Sequence, residues 1–132
     1  MSTLPTPPLT LGKIVYARVL DSRGSGEYKR RPLVVVVPPS CDDPTFTWVG
    51  ASTVPPTPEQ APYCVQLPHA GPPRGHRYTR LTQPTFVYCY WSGTLRLNEI
   101  VEPANDILGQ VHEVQLEQIL KIVAKLEAEA KR

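Results

Sequence analysis

Apolar and polar positions fall into short blocks separated by proline- and glycine-bearing segments, with one longer block of helical spacing at the end. From Gly12 to Leu20, Ile14, Val15, Ala17 and Val19 interleave with Lys13, Tyr16 and Arg18, a mixture that predicts a β-strand. Leu33 to Val37 is five consecutive aliphatics, four of them valine. So short and β-branched a run predicts a strand buried on both faces. Gly24 and Gly26 permit the backbone to turn between the two runs. Leu11 to Pro39 therefore reads as a β-hairpin with a long, polar and basic loop.

Downstream, Pro38 to Pro44 reads as a turn and Thr45 to Thr53 as a third strand. Val54 to Pro62 holds four prolines in nine residues, which excludes regular structure. Pro62 to Leu67 reads as a fourth strand, His69 to Thr79 as a second loop and Pro84 to Tyr90 as an aromatic, β-branched fifth strand. Trp91-Ser92-Gly93 reads as a turn. Thr94 to Val101 fits either a strand or a short helical turn leading into one, and Ile107 to Val111 a last short strand. From Glu113, Leu116, Ile119, Leu120, Val123 and Leu126 fall on one helical face, and Glu117–Lys121 and Glu127–Lys131 are i,i+4 pairs. The pattern predicts a mainly β protein, a small barrel of five to seven strands with a C-terminal amphipathic helix.

The length, 132 residues, suits one domain. Residues 1–10, with three prolines, read as a flexible tail before a single domain over 11–132. The charge is +2 overall, but its distribution is uneven: +4 over residues 1–40, −3 over 41–69, +3 over 70–100 and −2 over 101–132. Two basic segments would build a positive face if the fold brought them together. Cys41, Cys64 and Cys89 include no C-x-x-C pair, which argues against structural zinc, and their odd number argues against a disulfide framework. The first residues lack the charge and apolar core of a signal peptide, and no segment has the length of a membrane span. A reducing cytoplasm is the expected setting.

Lys29, Arg30 and Arg31 stand in a row before Pro32, which fixes the chain as it enters the valine strand. Such a cluster suits an anion, because a guanidinium can hold two phosphate oxygens at once. A solvated charge run at a strand end is the alternative. In the second loop, His76 lies among Arg74, Arg77 and Arg80 with Tyr78 interleaved. Cations with an aromatic suit single-stranded RNA, whose bases stack and whose phosphates pair; an exposed solubilising loop is the alternative. His112, at the helix start, reads as a capping residue. No nucleophile elbow, H-E-x-x-H or P-loop occurs.

The strand G-K-I-V-Y-A-R-V, the loop Gly24-Ser25-Gly26-Glu27, the Arg31-Pro32 entry to a hydrophobic strand, and Gly109-Gln110-Val111 before the helix resemble the MazF/PemK family. These are the toxins of type II toxin–antitoxin modules. The resemblance runs from Leu11 to Leu126 in outline and is most specific in the first hairpin. It implies an SH3-like barrel of the MazF/PemK/CcdB type. It implies a metal-independent endoribonuclease that cleaves single-stranded mRNA, needs no cofactor, forms a homodimer and is neutralised by a cognate antitoxin. Catalysis would then rest on Arg31 and on Ser52 or Thr53, with Glu27, Lys29, Arg30, Arg74, His76, Arg77, Tyr78 and Arg80 around the substrate.

The chain also departs from the family. The later strand that in some members carries an acid and an arginine reads Phe86-Val87-Tyr88-Cys89-Tyr90-Trp91 here. Glu27 or His76 could serve as base instead. Ser52-Thr53 could also be an ordinary strand end. The competing reading is a non-catalytic barrel, a CcdB-like gyrase poison or a module binding RNA or peptide.

Overall fold

The structure, a computed structural model, describes residues 9–20, 26–100 and 107–131. The tail through residue 8, the loop glycine Gly24 and the segment end at Val101 lie outside the described residues. Six strands, β1 (Lys13–Leu20), β2 (Tyr28–Val37), β3 (Thr45–Ser52), β4 (Cys64–Leu67), β5 (Thr85–Arg96) and β6 (Ile107–Gln110), precede one helix, α1 (Glu113–Ala130). The strands form a single sheet in the order β4-β5-β3-β2-β1-β6, antiparallel throughout.

Two elements differ from the sequence reading. β2 begins at Tyr28, so Lys29, Arg30 and Arg31 are strand residues rather than a loop end. Their backbone pairs with Val19, Arg18 and Ala17 of β1, and that pairing outweighs the unfavourable composition. β5 runs straight through the predicted turn at Trp91-Ser92-Gly93. The reason is reciprocal packing of rings on glycines. Trp48 stands opposite Gly93 and lies where a Cβ at Gly93 would sit, while the Trp91 ring covers Gly50. The two indoles meet edge to face, 6.0 Å between centroids. To place Trp91, β5 bulges. Pairing with β3 jumps from Val49↔Ser92 to Gly50↔Tyr88, leaving Cys89, Tyr90 and Trp91 without a β3 partner.

The sheet buries both faces. One carries Ile14, Val34, Val36, Val49, Val65 and Val87, drawn from five strands, around Ile119 of α1, as a curled sheet requires. The other carries Val15, Leu33, Val35, Phe46 and Trp48, with Ile100 and Leu9 packed on them. Leu9 falls within the segment read as a tail, yet it is only 8% exposed. The loop after β4 links the two edge strands. Thr79 Oγ1 donates to the Pro68 carbonyl beside β4, and the Gln110 amide of β6 donates to the Tyr78 carbonyl. The loop is thereby tied beside the end of β4 and to β6.

α1 follows the periodicity. Leu116, Leu120, Val123 and Leu126, with Ile122, pack around buried Ile119. His112 is the N-cap, its Nδ1 accepting from the Val114 amide at 3.2 Å. Lys121 lies 3.2 Å from Glu117, an exposed pair worth a few tenths of a kcal/mol. No helix among the described residues is long and apolar enough to cross a membrane.

Ile119 is fully buried, at 0% exposure, so Ile119→Ala should lose about 2–5 kcal/mol in chemical denaturation. Ile119→Asp, which buries an unpaired charge, should lose more. An unchanged midpoint for Ile119→Asp would mean that α1 is not docked on the sheet.

Candidate functional site

Strand alternation divides the basic row. Lys29 and Arg31 fall on the face of Leu33 and Val35, while Arg30 falls with Pro32 and Val34 on the α1 side. There the Arg30 guanidinium lies over the Tyr16 ring, 4.4 Å from its centroid. Burial pushes the Tyr16 phenol up, and the Arg30 charge partly opposes the shift. The three cations therefore do not converge on one anion.

The β2–β3 register lines Arg31 up with Ser52 instead. The pairing of β2 with β3 ends at Leu33↔Gly50. The next β2 residue is Pro32, which has no N–H to continue a ladder. Carried two residues further, the same register sets Arg31 opposite Ser52 on one face. Arg31 is half-buried with Nε shielded from solvent. Ser52 Oγ accepts from the Val54 amide at 3.2 Å, so its O–H remains available to donate. A planar guanidinium beside a hydroxyl donor is an oxyanion-binding pair. Thr53 lies one residue beyond β3 and is exposed. The Tyr88 hydroxyl donates to the Val54 carbonyl and ties this strand end to β5. Glu27 is exposed, one residue before β2.

The same register extends the row to residues that the sequence alone did not single out. Ser52 pairs with Phe86, and Phe86 pairs with Gln66. Directly opposed residues share a face, so Arg31, Ser52, Phe86 and Gln66 lie side by side across β2, β3, β5 and β4. Only strand pairing creates this neighbourhood.

The second basic loop is placed elsewhere. His76 Nδ1 accepts from the amides of Tyr78 and Thr79 at 3.1 and 3.3 Å. The Nδ1 lone pair is thereby engaged in shaping the loop. Arg77 lies over Tyr78, 5.5 Å from the ring centroid. Arg74, Arg77, Tyr78 and Arg80 are exposed, and Arg80 holds a left-handed φ of 64°. Among the described residues, the loop's hydrogen bonds include ones to Pro68, Leu81 and Gln110. The Arg74–Arg80 cluster is thus built on the β4 and β6 edges, and the Arg31–Ser52 pair on the central strands. A cleft of about 460 Å³ lies on the α1 side, against the opposite face of the sheet, lined by Val36, Val49, Cys89, Leu120 and Val123 among others.

Cys64 and Cys89 offer no nucleophile at neutral pH. Burial pushes the Cys89 thiol up to about 12, with Cys64 adding to the shift, and burial pushes Cys64 up to about 11. Both lie above the reference value of 9.0, so the fold holds both protons. That contribution is complete below pH 9 and is lost as pH rises toward 11 to 12. Stability should therefore decline above pH 9, and less so when Cys64 and Cys89 are both alanine. Iodoacetamide should label exposed Cys41 first. Labelling of Cys89 ahead of Cys41 in the folded protein would contradict the burial described here.

No protein-family model matches the chain, and no curated protein sequence matches it. Among solved structures, it is similar to an endoribonuclease in complex with its cognate antitoxin from mycobacterial species. The TM-score is 0.61 at 21% identity, over 92% of this chain and 96% of that one. It is also similar to a mycobacterial endoribonuclease, with TM-score 0.59 at 18% identity, over 96% of each chain. The likeness establishes the fold, a curled β-barrel sheet with one C-terminal helix.

Proposed function

We propose that this chain is the toxin of a toxin–antitoxin module, an endoribonuclease that cuts single-stranded mRNA at a phosphate held between Arg31 and Ser52. What supports the reading is the β2–β3 register, which ends at Leu33↔Gly50 beside Pro32 and, continued, sets Arg31 opposite Ser52. The names of the two similar structures support it, one an endoribonuclease held by its antitoxin. By the same likeness, an antitoxin is the expected partner. A homodimer in the cytoplasm is the working form in this reading.

The chemistry follows from the side chains. The ribose 2′-hydroxyl attacks the adjacent phosphorus, and the bond to the 5′-oxygen of the next nucleotide breaks. The products are a 2′,3′-cyclic phosphate and a 5′-hydroxyl. Arg31 donates two parallel N–H bonds to the non-bridging oxygens as charge accumulates, which is worth most in the transition state. The Ser52 hydroxyl donates a third. Glu27, on the same strand entry as Arg31, takes the 2′-hydroxyl proton, and the departing 5′-oxygen takes a proton from water. Lys29, on the face of Arg31, attracts the neighbouring phosphate. Arg30 with Tyr16, and the Arg74–Arg80 loop with His76 and Tyr78, contact RNA further from the scissile bond.

One observation favours the non-catalytic barrel as second reading: Phe86 to Trp91 contains neither acid nor arginine. Incubating purified protein with a long RNA in EDTA separates the two, since only the ribonuclease gives discrete fragments. Affinity for RNA should fall steeply with salt. Arg31→Lys keeps the charge and loses the fork, so cleavage should slow on the order of a hundredfold while RNA affinity changes little. Equal rates for wild type and Arg31→Lys would remove Arg31 from the reaction.

A further inference from the structure

Phe86 and Gln66 continue the Arg31–Ser52 row across β5 and β4, on the same face and in unbroken register from Ser52. Phe86 is half-buried and Gln66 is exposed. Tyr88, the next β5 residue on that face, is locked by its bond to the Val54 carbonyl. It ties the segment just after Ser52 at the end of β3 to β5, which carries Phe86.

We propose that Phe86 and Gln66 form a nucleobase subsite, in which the base next to the phosphate held by Arg31 and Ser52 stacks on Phe86 and is read by the Gln66 amide. This rests on the reading of the Arg31–Ser52 pair as an RNA phosphate site. The order along the row is what carries it: guanidinium, hydroxyl, aromatic ring, primary amide. Neighbouring strands lie about 4.8 Å apart, so Phe86 is roughly 10 Å from Arg31 along the sheet, within one nucleotide's reach. An unpaired base stacks on an aromatic side chain and presents its hydrogen-bonding edge outward. Gln66 offers both a donor and an acceptor in one plane, so it discriminates edges by their pattern. The ring supplies affinity for any base, and the amide supplies preference. The amide sits on an edge strand, so it reaches the base from the side opposite the phosphate.

The test uses short single-stranded RNA oligonucleotides, 2′-O-methylated throughout so that they cannot be cut, varied one base at a time. One further set carries a single abasic position moved along the strand. Phe86→Leu should weaken binding about tenfold or more, while Phe86→Tyr, which keeps the ring, should bind as wild type does. One abasic position should weaken wild-type binding and leave no further effect of Phe86→Leu. Gln66→Ala, at an exposed position, should keep the fold and flatten the differences among bases at that one position. In cleavage of a long RNA, Gln66→Ala should cut at a wider range of sites. Binding of every oligonucleotide by Phe86→Leu and Gln66→Ala as tightly as by wild type would overturn the subsite and leave the ribonuclease reading standing. Binding with these effects but no cleavage would overturn the ribonuclease and keep the subsite. No binding by wild type at low salt would overturn both.

Discussion

A proline inside a central strand is the constraint on which the site depends. β2 lies between β1 and β3, where a missing donor is ordinarily excluded. Pro32 is accommodated because its partner on the β1 side is Tyr16, while pairing to β3 has already ended at Leu33↔Gly50. The ladder therefore opens next to Arg31. Beyond it, Leu33 to Val36 are buried from both faces and hold the strand still. The guanidinium is thus carried on a rigid element at a point where the ladder to β3 has ended.

Burial on both faces gives the two sides of the sheet separate tasks. The α1 side builds the larger core, and the loop from Pro68 to Thr85 closes over it by bonding to both sheet edges. The other side packs Trp48, Trp91 and Phe46 in its middle and leaves Arg31, Ser52, Phe86 and Gln66 along one end. The indoles matter to that end indirectly. Trp91 on Gly50 demands the bulge at Cys89–Trp91, and the bulge sets which β5 residues stand opposite Gly50 and Ser52. Without it, Tyr88 and Phe86 would not face the Arg31 strand end.

The sequence made the local features legible and the non-local ones not. The valines of β2 and the stripe of α1 need only their own periodicity, and both appear where the pattern places them. The His112 cap is likewise local. Trp91-Ser92-Gly93 misled because glycine is usually a turn signal; here Gly93 makes room for a ring from another strand. Lys29–Arg31 looked like one cluster because sequence adjacency hides the alternation that sends Arg30 to the other face. The part His76 plays in shaping its loop was hidden, because its bonds to Tyr78 and Thr79 exist only in the folded loop. Arg31 was visible through its proline. Its neighbours Phe86 and Gln66 were not, since they meet it only through two strand registers.

The central claim is that Arg31 and Ser52 act on one phosphate. A double-mutant cycle on RNA cleavage tests this most directly, comparing kcat/KM for Arg31→Lys, Ser52→Ala and the double variant. Groups that share a substrate oxyanion act as a unit, so the double variant should lose far less than the product of the two single losses. Single losses that multiply in the double variant would show two independent contributions and contradict a shared site.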